Sequence, residues 1–351
     1  MKSVAIIILS AKKSKDDVAE CLKSIERNAY SKKDYEVILV DNASEDDVLF
    51  YVRKNFPEVL IIENDKNLGF AAGNNIGIRY AEKKGFKYVV LLNNDTVVEK
   101  SWLSELVVAA ENTNNFGAIQ SKIFFYDKHN VINTDGNIIH YTGFAYCGNY
   151  GKSAEEGSVG ISEVTYASGA SMLIPVDVFK KVGMLQELLF MYHEDVEFGW
   201  RLSLSGLKSY VASDSKVYHK YSYEKPKGKK MYFAERNRLI VLLENYKFAS
   251  LVIFLPAIIF MEIGIIFYSF KEKWLHQKIA SYLFFLNPFM LLQIFKNRRK
   301  NQKLRVVSDR EIIKMFDCKL DFPAVRSPLI QYIANPVLAA YFKLVNFFIF
   351  W

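Results

Sequence analysis

Cysteine is scarce in this chain of 351 residues. Its three cysteines, Cys21, Cys147 and Cys318, are far apart and form no CxxC pair. This number and spacing argue against a disulfide framework and against a structural zinc site, and they are typical of a protein from a reducing compartment.

Several motifs that bind phosphate or activate a nucleophile are also missing. The sequence contains no GxxxxGKS or GxxxxGKT loop, no GxGxxG after its first apolar run, and neither HExxH nor GxSxG. These absences argue against a Walker-type nucleotide site, a dinucleotide-binding fold, a zinc protease and a serine hydrolase. The Gly-rich loop of a sugar nucleotidyltransferase is absent too.

The amino terminus lacks the features of a secretory signal. Only the six residues Val4–Leu9 form a clean apolar run before polar residues resume. A signal peptide needs a longer apolar core and a small-residue cleavage site, so we interpret this run as a buried strand. We therefore expect the front of the chain to stay in the cytoplasm.

Charge and apolar residues are unevenly distributed. The formal net charge is +8, which suits nucleic acid, anionic lipid or phosphorylated substrates. The basic residues form no single stripe interleaved with aromatics, so we expect no nucleic-acid partner. Hydrophobic residues make up 51% of the chain and concentrate after Phe248, which predicts a soluble front and a membrane-seeking back.

Short β-branched runs alternate with helical patterns in the first third of the chain. This alternation predicts a mostly parallel sheet flanked by helices, in which ligands bind beyond the carboxyl ends of the strands. The predicted strands are Val4–Leu9, Val37–Val40, Val59–Ile62 and Tyr88–Leu92, and helical patterns cover Asp46–Asn55 and Phe70–Lys84.

Polar residues follow these strands and are the first candidates for a site. Asp41 could accept hydrogen bonds from a base or ribose, or it could open a turn. The run from Asn67 to Asn75 has small residues that allow close backbone approach, although an ordinary loop-to-helix entry also explains its glycines. Asp95, after two asparagines, could hold Mg²⁺ or Mn²⁺ against a diphosphate, or it could simply form a turn.

The stretch FMYHEDVEFGWRLSLSGLK, residues 190–208, places a histidine and three carboxylates at the start of a predicted helix. Acidic residues in a first helical turn are favoured by the helix dipole, so a helix cap and a catalytic centre are both open at this point. We expect Arg201 to pair with Glu197, four residues earlier.

The last third of the chain carries three apolar stretches. Residues 248–270 are long enough to span a bilayer, and 279–295 are fewer and contain Asn287-Pro288. The two could form a spanning helical hairpin, with the basic run after it in the cytoplasm, or two helices lying in the interface. Residues 332–351 suit an interfacial helix, with a buried core helix as the alternative.

Six sequence pieces in order resemble family 2 glycosyltransferases with the GT-A fold, and most closely their rhamnosyltransferase-like branch. The pieces are VDNAS, NLGFAAGNN, LLNNDT, SGASMLIPVDVFKKVG, HEDVEFGWRLSLSGLK and VYH, and the resemblance covers roughly Met1–Tyr223.

This resemblance implies a fold and a division of the chain. The fold is α/β: a GT-A domain with a Rossmann-like mixed sheet flanked by helices, followed by an all-α membrane-associated region. We expect a catalytic domain over 1–225, a basic juxtamembrane linker or helix over 226–247, and membrane-associated helices over 248–351.

The resemblance also implies roles for individual residues. Asp195 corresponds to the general base, with Glu194 beside it. The first acid of the family's DxD metal motif is an asparagine here, and the implied metal ligands for Mn²⁺ or Mg²⁺ are Asn93, Asp95 and His219. The implied donor-binding residues are Ser10, Asp41, Asn67, Gly69, Asn74, Asn94 and Asp95.

The implied activity is inverting transfer of a sugar from a UDP- or dTDP-linked donor to a hydroxyl of a lipid-linked or cell-surface glycan, at the cell membrane with the catalytic domain on the cytoplasmic side. Two alternatives stay open: a polyprenyl-phosphate sugar synthase, whose anionic acceptor needs no base, and a non-catalytic membrane adaptor. QxxRW is absent, which argues against a processive polymer synthase. Residues 235–238 could meet anionic headgroups or a lipid-linked diphosphate, or form a solvated charged turn.

Overall fold

The computed structural model describes residues 2–220, 228–321 and 327–351. The chain divides into two compact units. The sheet unit comprises Met1–Asn137, Cys147–Phe190 and Leu207–Ser222, and the helical unit comprises Ile138–Tyr146, Met191–Gly206 and Tyr223–Trp351.

The sheet unit alternates strands and helices through its first half, as the sequence predicts. Its strands are β1 (Val4–Lys12), β2 (Tyr35–Ser44), β3 (Leu60–Glu63), β4 (Tyr88–Asn93), β5 (Thr96–Val98), β6 (Phe116–Phe125), β7 (Lys128–Thr134), β10 (Ile161–Val164), β11 (Ser171–Pro175) and β12 (Lys208–His219). Its helices are α1 (Lys15–Glu26), α2 (Val48–Asn55), α3 (Gly69–Lys84), α4 (Trp102–Asn112) and α5 (Val176–Val182).

In the described part of the chain these strands form one ten-stranded mixed sheet. The main order is β10-β12-β6-β11-β4-β1-β2-β3, with β5 paired to β12 and β7 paired to β6. The strands β4, β1, β2 and β3 are mutually parallel, and β11 joins them antiparallel. The central strand β1 is fully buried from Val4 to Ile8, as expected of a parallel strand with both faces covered by helices.

The register of the parallel strands aligns their polar ends. Ser10 of β1 pairs with Asp41 of β2, and Leu9 pairs with Asn93 of β4. Because neighbouring strands are about 4.8 Å apart, the ends of β2 and β4 are about 10 Å from each other. The carboxyl edge of the sheet therefore gathers the predicted strand-end residues.

The helical unit is built from elements distant in sequence. The strands β8 (Asn137–Ile139) and β9 (Ala145–Cys147) pair as a hairpin whose central residues belong to this unit. Its helices are α6 (Glu194–Leu204), α7 (Lys229–Asn245), α8 (Phe248–Lys271), α9 (Leu275–Leu283), α10 (Pro288–Leu304), α11 (Asp309–Ile313) and α12 (Asn335–Asn346), with a π-helical turn at Ile330–Ala334.

The division into units differs from the expected domains in one respect. Residues 138–146 and 191–206, assigned from the sequence to the catalytic domain, pack with the C-terminal helices instead. The expected boundary at 225 lies outside the described residues. Within the expected linker, residues 229–245 form α7.

The first apolar stretch forms one continuous helix, α8, close to the predicted bounds. The second prediction is wrong as a single helix over 279–295. The chain breaks between α9 and α10, which meet at 76° after a 3₁₀ turn at Phe284–Leu286. Asn287 caps α10 by accepting a hydrogen bond from the Phe289 amide, and Pro288 occupies the first turn, so this pair starts a new helix.

Neither reading of residues 235–238 holds. Glu235, Arg236, Asn237 and Arg238 lie on α7 with exposures of 6% or less, so they are neither a solvated turn nor a lipid-facing patch. Arg238 pairs with Glu235 and with Glu262 of α8, and Lys278 of α9 pairs with both glutamates. Two cations and two anions thus neutralise one another inside the helical unit.

Candidate active site

Asp41 is buried at the end of β2, where two neighbours hold its carboxylate. Ser10 Oγ donates to Asp41 Oδ1 at 2.9 Å, and the Ser44 amide donates to the same oxygen at 3.2 Å. Ser10 and Ser44 also hydrogen bond to each other at 3.1 Å. A carboxylate that is 4% exposed and fixed in this way can offer its remaining lone pairs to a ligand with little reorganisation.

Asn42, the next residue, organises the loop that leads into α3. Its Nδ2 donates to Asn67 Oδ1 and to the Gly69 carbonyl, both at 3.1 Å. Its Oδ1 accepts from Asn64 Nδ2 at 3.2 Å and from the Leu68 amide at 3.0 Å. All four hydrogen-bonding positions of this buried amide are therefore used, and the loop is fixed to the sheet.

Asn67 and Gly69 shape the turn that leads into α3. Asn67 Oδ1 accepts from the Gly69 amide at 2.9 Å, which closes a turn. Gly69 has φ of +86°, and a Cβ at this position would lie 2.5 Å from the Phe190 carbonyl oxygen. Only glycine fits this approach. Asn74 is buried inside α3, where its amide donates to the Phe70 carbonyl at 2.9 Å.

A tight turn between β4 and β5 presents Asn94 and Asp95 at the carboxyl edge. Thr96 Oγ1 closes this turn by donating to the Asn93 carbonyl at 2.6 Å. The Lys220 amide donates to the Asp95 carbonyl at 2.9 Å, which ties the turn to the end of β12. The side chains of Asn93, Asn94 and Asp95 are partly exposed, so they are accessible to a ligand.

His219 at the end of β12 meets Asp95, as the resemblance implies for a shared site. His219 Nε2 lies 3.1 Å from Asp95 Oδ1. Burial opposes ionisation of Asp95, but the hydrogen bond and charge of His219, together with the charge of Lys220, outweigh it and hold the pKa of Asp95 below its usual value. This carboxyl is therefore kept in its charged form.

Asp95 and His219 suit a divalent cation that takes its other ligands from elsewhere. Among the described residues, no three His, Cys, Asp or Glu side chains gather as a complete metal cage. Mg²⁺ sites of the kind found in phosphate-using enzymes have one or two protein carboxylates, with phosphate oxygens and waters completing an octahedron. Asp95 would supply the carboxylate of such a site, and His219 Nε2, 3.1 Å from its Oδ1, would be a neighbouring nitrogen donor.

The two predicted catalytic acids open α6 in the helical unit. Glu194 is 8% exposed, and its buried Oε2 has no hydrogen-bond partner among the residues that the structure describes. Burial, helped by the neighbouring charge of Asp195, raises the pKa of Glu194 to about 8. Asp195 is half-buried, and its Oδ1 accepts from the Val196 amide at 2.8 Å. The two adjacent acids therefore have different surroundings.

The predicted pairing of Glu197 with Arg201 is confirmed. Arg201 donates to both oxygens of Glu197, at 2.8 and 2.7 Å, and both residues are buried. The helix ends at Leu204, and Gly206 follows with φ of +77°. Arg201 is thus a structural residue of the helix.

The structure brings Ser10 to Asp41 and His219 to Asp95 at one sheet edge, and it places Glu194 and Asp195 in the other unit. Sequence reasoning assigned no role to Asn42. Its only signal was a polar residue following a buried strand, which does not distinguish a loop organiser from a ligand contact.

Comparison with known proteins identifies the family of this chain. The family model described as glycosyl transferase family 2 matches residues 6–183, just over half of the chain. The hexosyltransferase Agl10 of low-salt glycan biosynthesis in Haloferax volcanii is 27% identical over 205 residues, covering 57% of this chain and 62% of that protein. The dTDP-rhamnosyl transferase RfbF of Shigella flexneri is 25% identical over 242 residues, covering 63% of this chain and 73% of the relative.

Solved structures share the fold at low sequence identity. GalNAc-T7 with UDP, GalNAc and Mn²⁺ superimposes with a TM-score of 0.60 at 15% identity, over 73% of this chain and 50% of the other. S. aureus TarS residues 1–349 with UDP gives a TM-score of 0.54 at 16% identity, over 99% of this chain and 90% of the other. The expected GT-A fold with a helical C-terminal region is confirmed. From the match over residues 6–183, this chain belongs to glycosyl transferase family 2.

Proposed function

We propose that this protein is a membrane-associated inverting glycosyltransferase. It would move a sugar from a UDP- or dTDP-linked donor to a hydroxyl of a lipid-linked or cell-surface glycan. The observation that carries this proposal is the row of polar groups at the carboxyl edge of the sheet, Ser10 with Asp41 and then Asp95 with His219. Such edges are where open α/β sheets bind their ligands.

In this proposal, two acids bind different parts of the nucleotide donor. Asp41, held by Ser10, would accept hydrogen bonds from the base or ribose. Asp95, with His219 and the side-chain oxygen of Asn93, would hold Mn²⁺ or Mg²⁺, which supplies positive charge to the leaving diphosphate. The amide oxygen of Asn93 is a neutral ligand where the family has an acid, so the ionised Asp95 provides the negative charge of this set.

Asp195 is the proposed general base. The oxygen of the acceptor hydroxyl forms a bond to the anomeric carbon, its proton passes to the Asp195 carboxylate, and the bond from that carbon to the nucleoside diphosphate breaks on the opposite face. A carboxylate within hydrogen-bond reach suits this transfer. Asp195 lies in the first turn of α6, where the helix dipole favours its charged form.

The helical unit supports membrane attachment through one continuous apolar face. In the described part of the chain, α8 is the one helix long and apolar enough to cross a bilayer, while α9 and α10 pass that test only together, as a pair bent by 76°. Large apolar side chains are exposed at helical spacing along α8: Phe248, Val252, Leu255, Ile259, Ile263, Phe267 and Phe270. A continuous exposed apolar stripe along a whole helix is typical of a membrane-contacting surface.

We propose further that α8 lies in the plane of the membrane. Its opposite face is buried within the helical unit along its length, from Ser250 to Ser269. Near its midpoint, Glu262 pairs with Arg238 and Lys278, two residues of helices that belong to the same unit. A crossing helix would place this charged cluster near the bilayer centre, where it is most costly.

The exposed stripe of α10 fits a surface of anionic lipid. Phe289, Leu292 and Phe295 are exposed in its first half. Lys296, Arg299 and Lys300 are exposed immediately after them. An apolar stripe that becomes basic within one helix can pass from acyl chains to negatively charged headgroups.

Cysteine labelling on membrane vesicles tests the orientation of α8. Lys247→Cys and Lys273→Cys mark its two ends, in a background where Cys147 and Cys318 are serine. An impermeant reagent should label both positions from the same side of the membrane. Labelling from opposite sides would show that α8 crosses the bilayer.

A donor screen with the purified full chain tests the activity. UDP-, dTDP- and GDP-sugars are supplied with Mn²⁺, Mg²⁺ or chelator, with membrane lipid extract as acceptor, and released nucleoside diphosphate is measured. We expect metal-dependent release from a UDP- or dTDP-sugar. No release from any donor would favour the non-catalytic adaptor, and transfer to a polyprenyl phosphate would favour the synthase.

A further inference from the structure

Asn237 of α7 lies beneath the turn that introduces the two acids of α6. It is fully buried, and its Nδ2 donates to the Met191 carbonyl at 2.9 Å and to the Tyr192 carbonyl at 2.7 Å. Both protons of one amide group are therefore used on consecutive carbonyls of the same turn.

That turn has an unfavourable backbone. Tyr192 has φ of +66° and His193 has φ of +67°. Bulky residues rarely adopt this left-handed region, and each such residue costs about 1–3 kcal/mol unless its surroundings hold it. The conformation matters because His193 is the last residue before the helix, so it sets the position of Glu194 and Asp195. The Glu197 amide donates to the His193 carbonyl at 2.9 Å, which links the turn to the first turn of α6.

The chemistry of the contacts fixes the orientation of the Asn237 amide. Arg236 Nε donates to Asn237 Oδ1 at 2.9 Å, so this oxygen must be the acceptor and the nitrogen must face the two carbonyls. Arg236 is itself held among aromatic rings, with its guanidinium 4.9 Å from the Phe233 ring centre and 4.8 Å from that of Phe284. The guanidinium of Arg236 therefore holds the Asn237 amide in one orientation.

We propose that Asn237 is a positioning residue that holds the 191–193 turn so that Asp195 is presented for proton abstraction. It contacts neither donor nor acceptor in this account and acts through the backbone of Met191 and Tyr192. The proposal rests on the proposed role of Asp195 and goes beyond it, because it assigns the geometry of the base to a residue of the C-terminal helices.

The chain offers a matched control on the same helix. Asn245 is also fully buried on α7, but its amide donates to the Val241 carbonyl and its oxygen accepts from Asn301. Asn237→Asp and Asn245→Asp remove the same amide donor at the same burial. Only Asn237→Asp directs a carboxylate oxygen at the carbonyls of the turn.

Hydrogen–deuterium exchange of the full-length variants tests the structural half of the proposal without substrate. Peptides covering residues 190–197 should exchange faster in Asn237→Asp than in the wild type and in Asn245→Asp, whereas peptides from the sheet unit should be unchanged. Equal exchange in all three proteins would overturn the proposal. If Asn237→Asp does not fold, Asn237→Ser replaces it in the experiment. This variant retains one donor, and the same peptides should exchange faster in it than in the wild type.

Kinetics test the functional half. With the donor that the wild type uses, Asn237→Asp should lower kcat about 10²-fold, the order of loss expected when a reacting group is displaced by about 1 Å. The KM for the donor and the affinity for UDP or dTDP should stay within about twofold of wild type. Faster exchange with unchanged kcat would overturn the positioning role. If the wild type turns over no donor, the proposed function fails, while the exchange data still decide whether Asn237 holds the turn.

Discussion

Asp95 lies in the turn between β4 and β5 of the sheet unit, and Glu194 is the first residue of α6 in the helical unit. Their surroundings shift their pKa values in opposite directions. His219 and Lys220 hold the pKa of Asp95 below its usual range, in spite of burial. Glu194 is buried beside Asp195, with one oxygen that no described residue hydrogen bonds, and its pKa rises to about 8. Asp95 is therefore held in its charged form, whereas Glu194 stays neutral near pH 7.

This difference teaches what each acid can do. An ionised carboxylate beside an imidazole can hold a cation or face a diphosphate through one. A neutral glutamic acid can donate a hydrogen bond but cannot accept a proton, so Glu194 is a poorer base than Asp195 in the HED motif, residues 193–195. The contrast favours Asp195 as the proton acceptor, with Glu194 as its neutral neighbour at the start of the helix.

Removing the charge of Asp95 in the sheet unit is predicted to have a large effect on turnover. Asp95→Asn should lower donor turnover about 10²- to 10³-fold, because the cation and diphosphate lose their one anionic ligand in this set. Added Mn²⁺ should no longer strengthen binding of UDP or dTDP, measured by calorimetry. Asp177→Asn, an exposed acid at the opposite edge of the sheet, is the control and should leave both quantities unchanged. Unaltered metal dependence in Asp95→Asn would remove Asp95 from the site.

A second prediction concerns the loop that carries Asn67. Gly69→Ala should lower the free energy of unfolding by about 3 kcal/mol, since it adds a clash with the Phe190 carbonyl to an unfavourable φ. Gly151→Ala is the matched control, because Gly151 also has positive φ but its Cβ would meet no atom of the described residues within 4 Å. We expect a loss of about 1 kcal/mol there. Equal losses in urea unfolding of the two variants would show that the close approach is relaxed in solution.

A third prediction concerns the pH dependence of stability. A carboxyl whose folded pKa is raised contributes stability at low pH that is lost as pH rises from about 4.5, its ordinary value, toward the folded value of about 8. Glu194→Gln should remove this loss, so the variant gains about 3 kcal/mol relative to wild type between pH 5 and pH 8. Asp95 contributes with the opposite sign, since its stabilisation is lost only as pH falls below its ordinary pKa.

Chemical unfolding at pH 5 and pH 8 measures this difference. Glu272→Gln, an exposed glutamate of the helical unit, should follow the wild type at both values. A Glu194→Gln curve parallel to the wild type would mean that Glu194 is ionised in the folded protein at pH 8.

Much of the sheet unit could be predicted from the sequence because its signals are local. Runs such as Val4–Leu9 and Tyr88–Leu92 are buried strands, and parallel pairing then brings Ser10, Asp41 and Asp95 to one edge. The family motifs supplied the meeting of Asp95 with His219, which are 124 residues apart and which no local pattern connects.

The helical unit was harder to predict because its partners are distant and its charges are buried. Arg238 follows other charged residues in the sequence, a pattern that predicts a solvated side chain. In the structure it is buried and neutralised by Glu262 of a later apolar helix. The break at Asn287-Pro288 was visible as a capping signature, and the apolar composition around it favoured a continuous helix instead. Asn237 carried no signal at all, since its role depends on two carbonyls 45 and 46 residues away.

The most direct test of the central claim is a comparison of Asp195→Asn with the wild type in a donor-turnover assay that also measures nucleotide affinity. If Asp195 is the base, release of nucleoside diphosphate in the presence of acceptor falls about 10²- to 10⁴-fold, while the affinity for UDP or dTDP with Mn²⁺ is unchanged. Turnover that survives the substitution would contradict the account, and the acids of the HED motif would then serve only to begin α6.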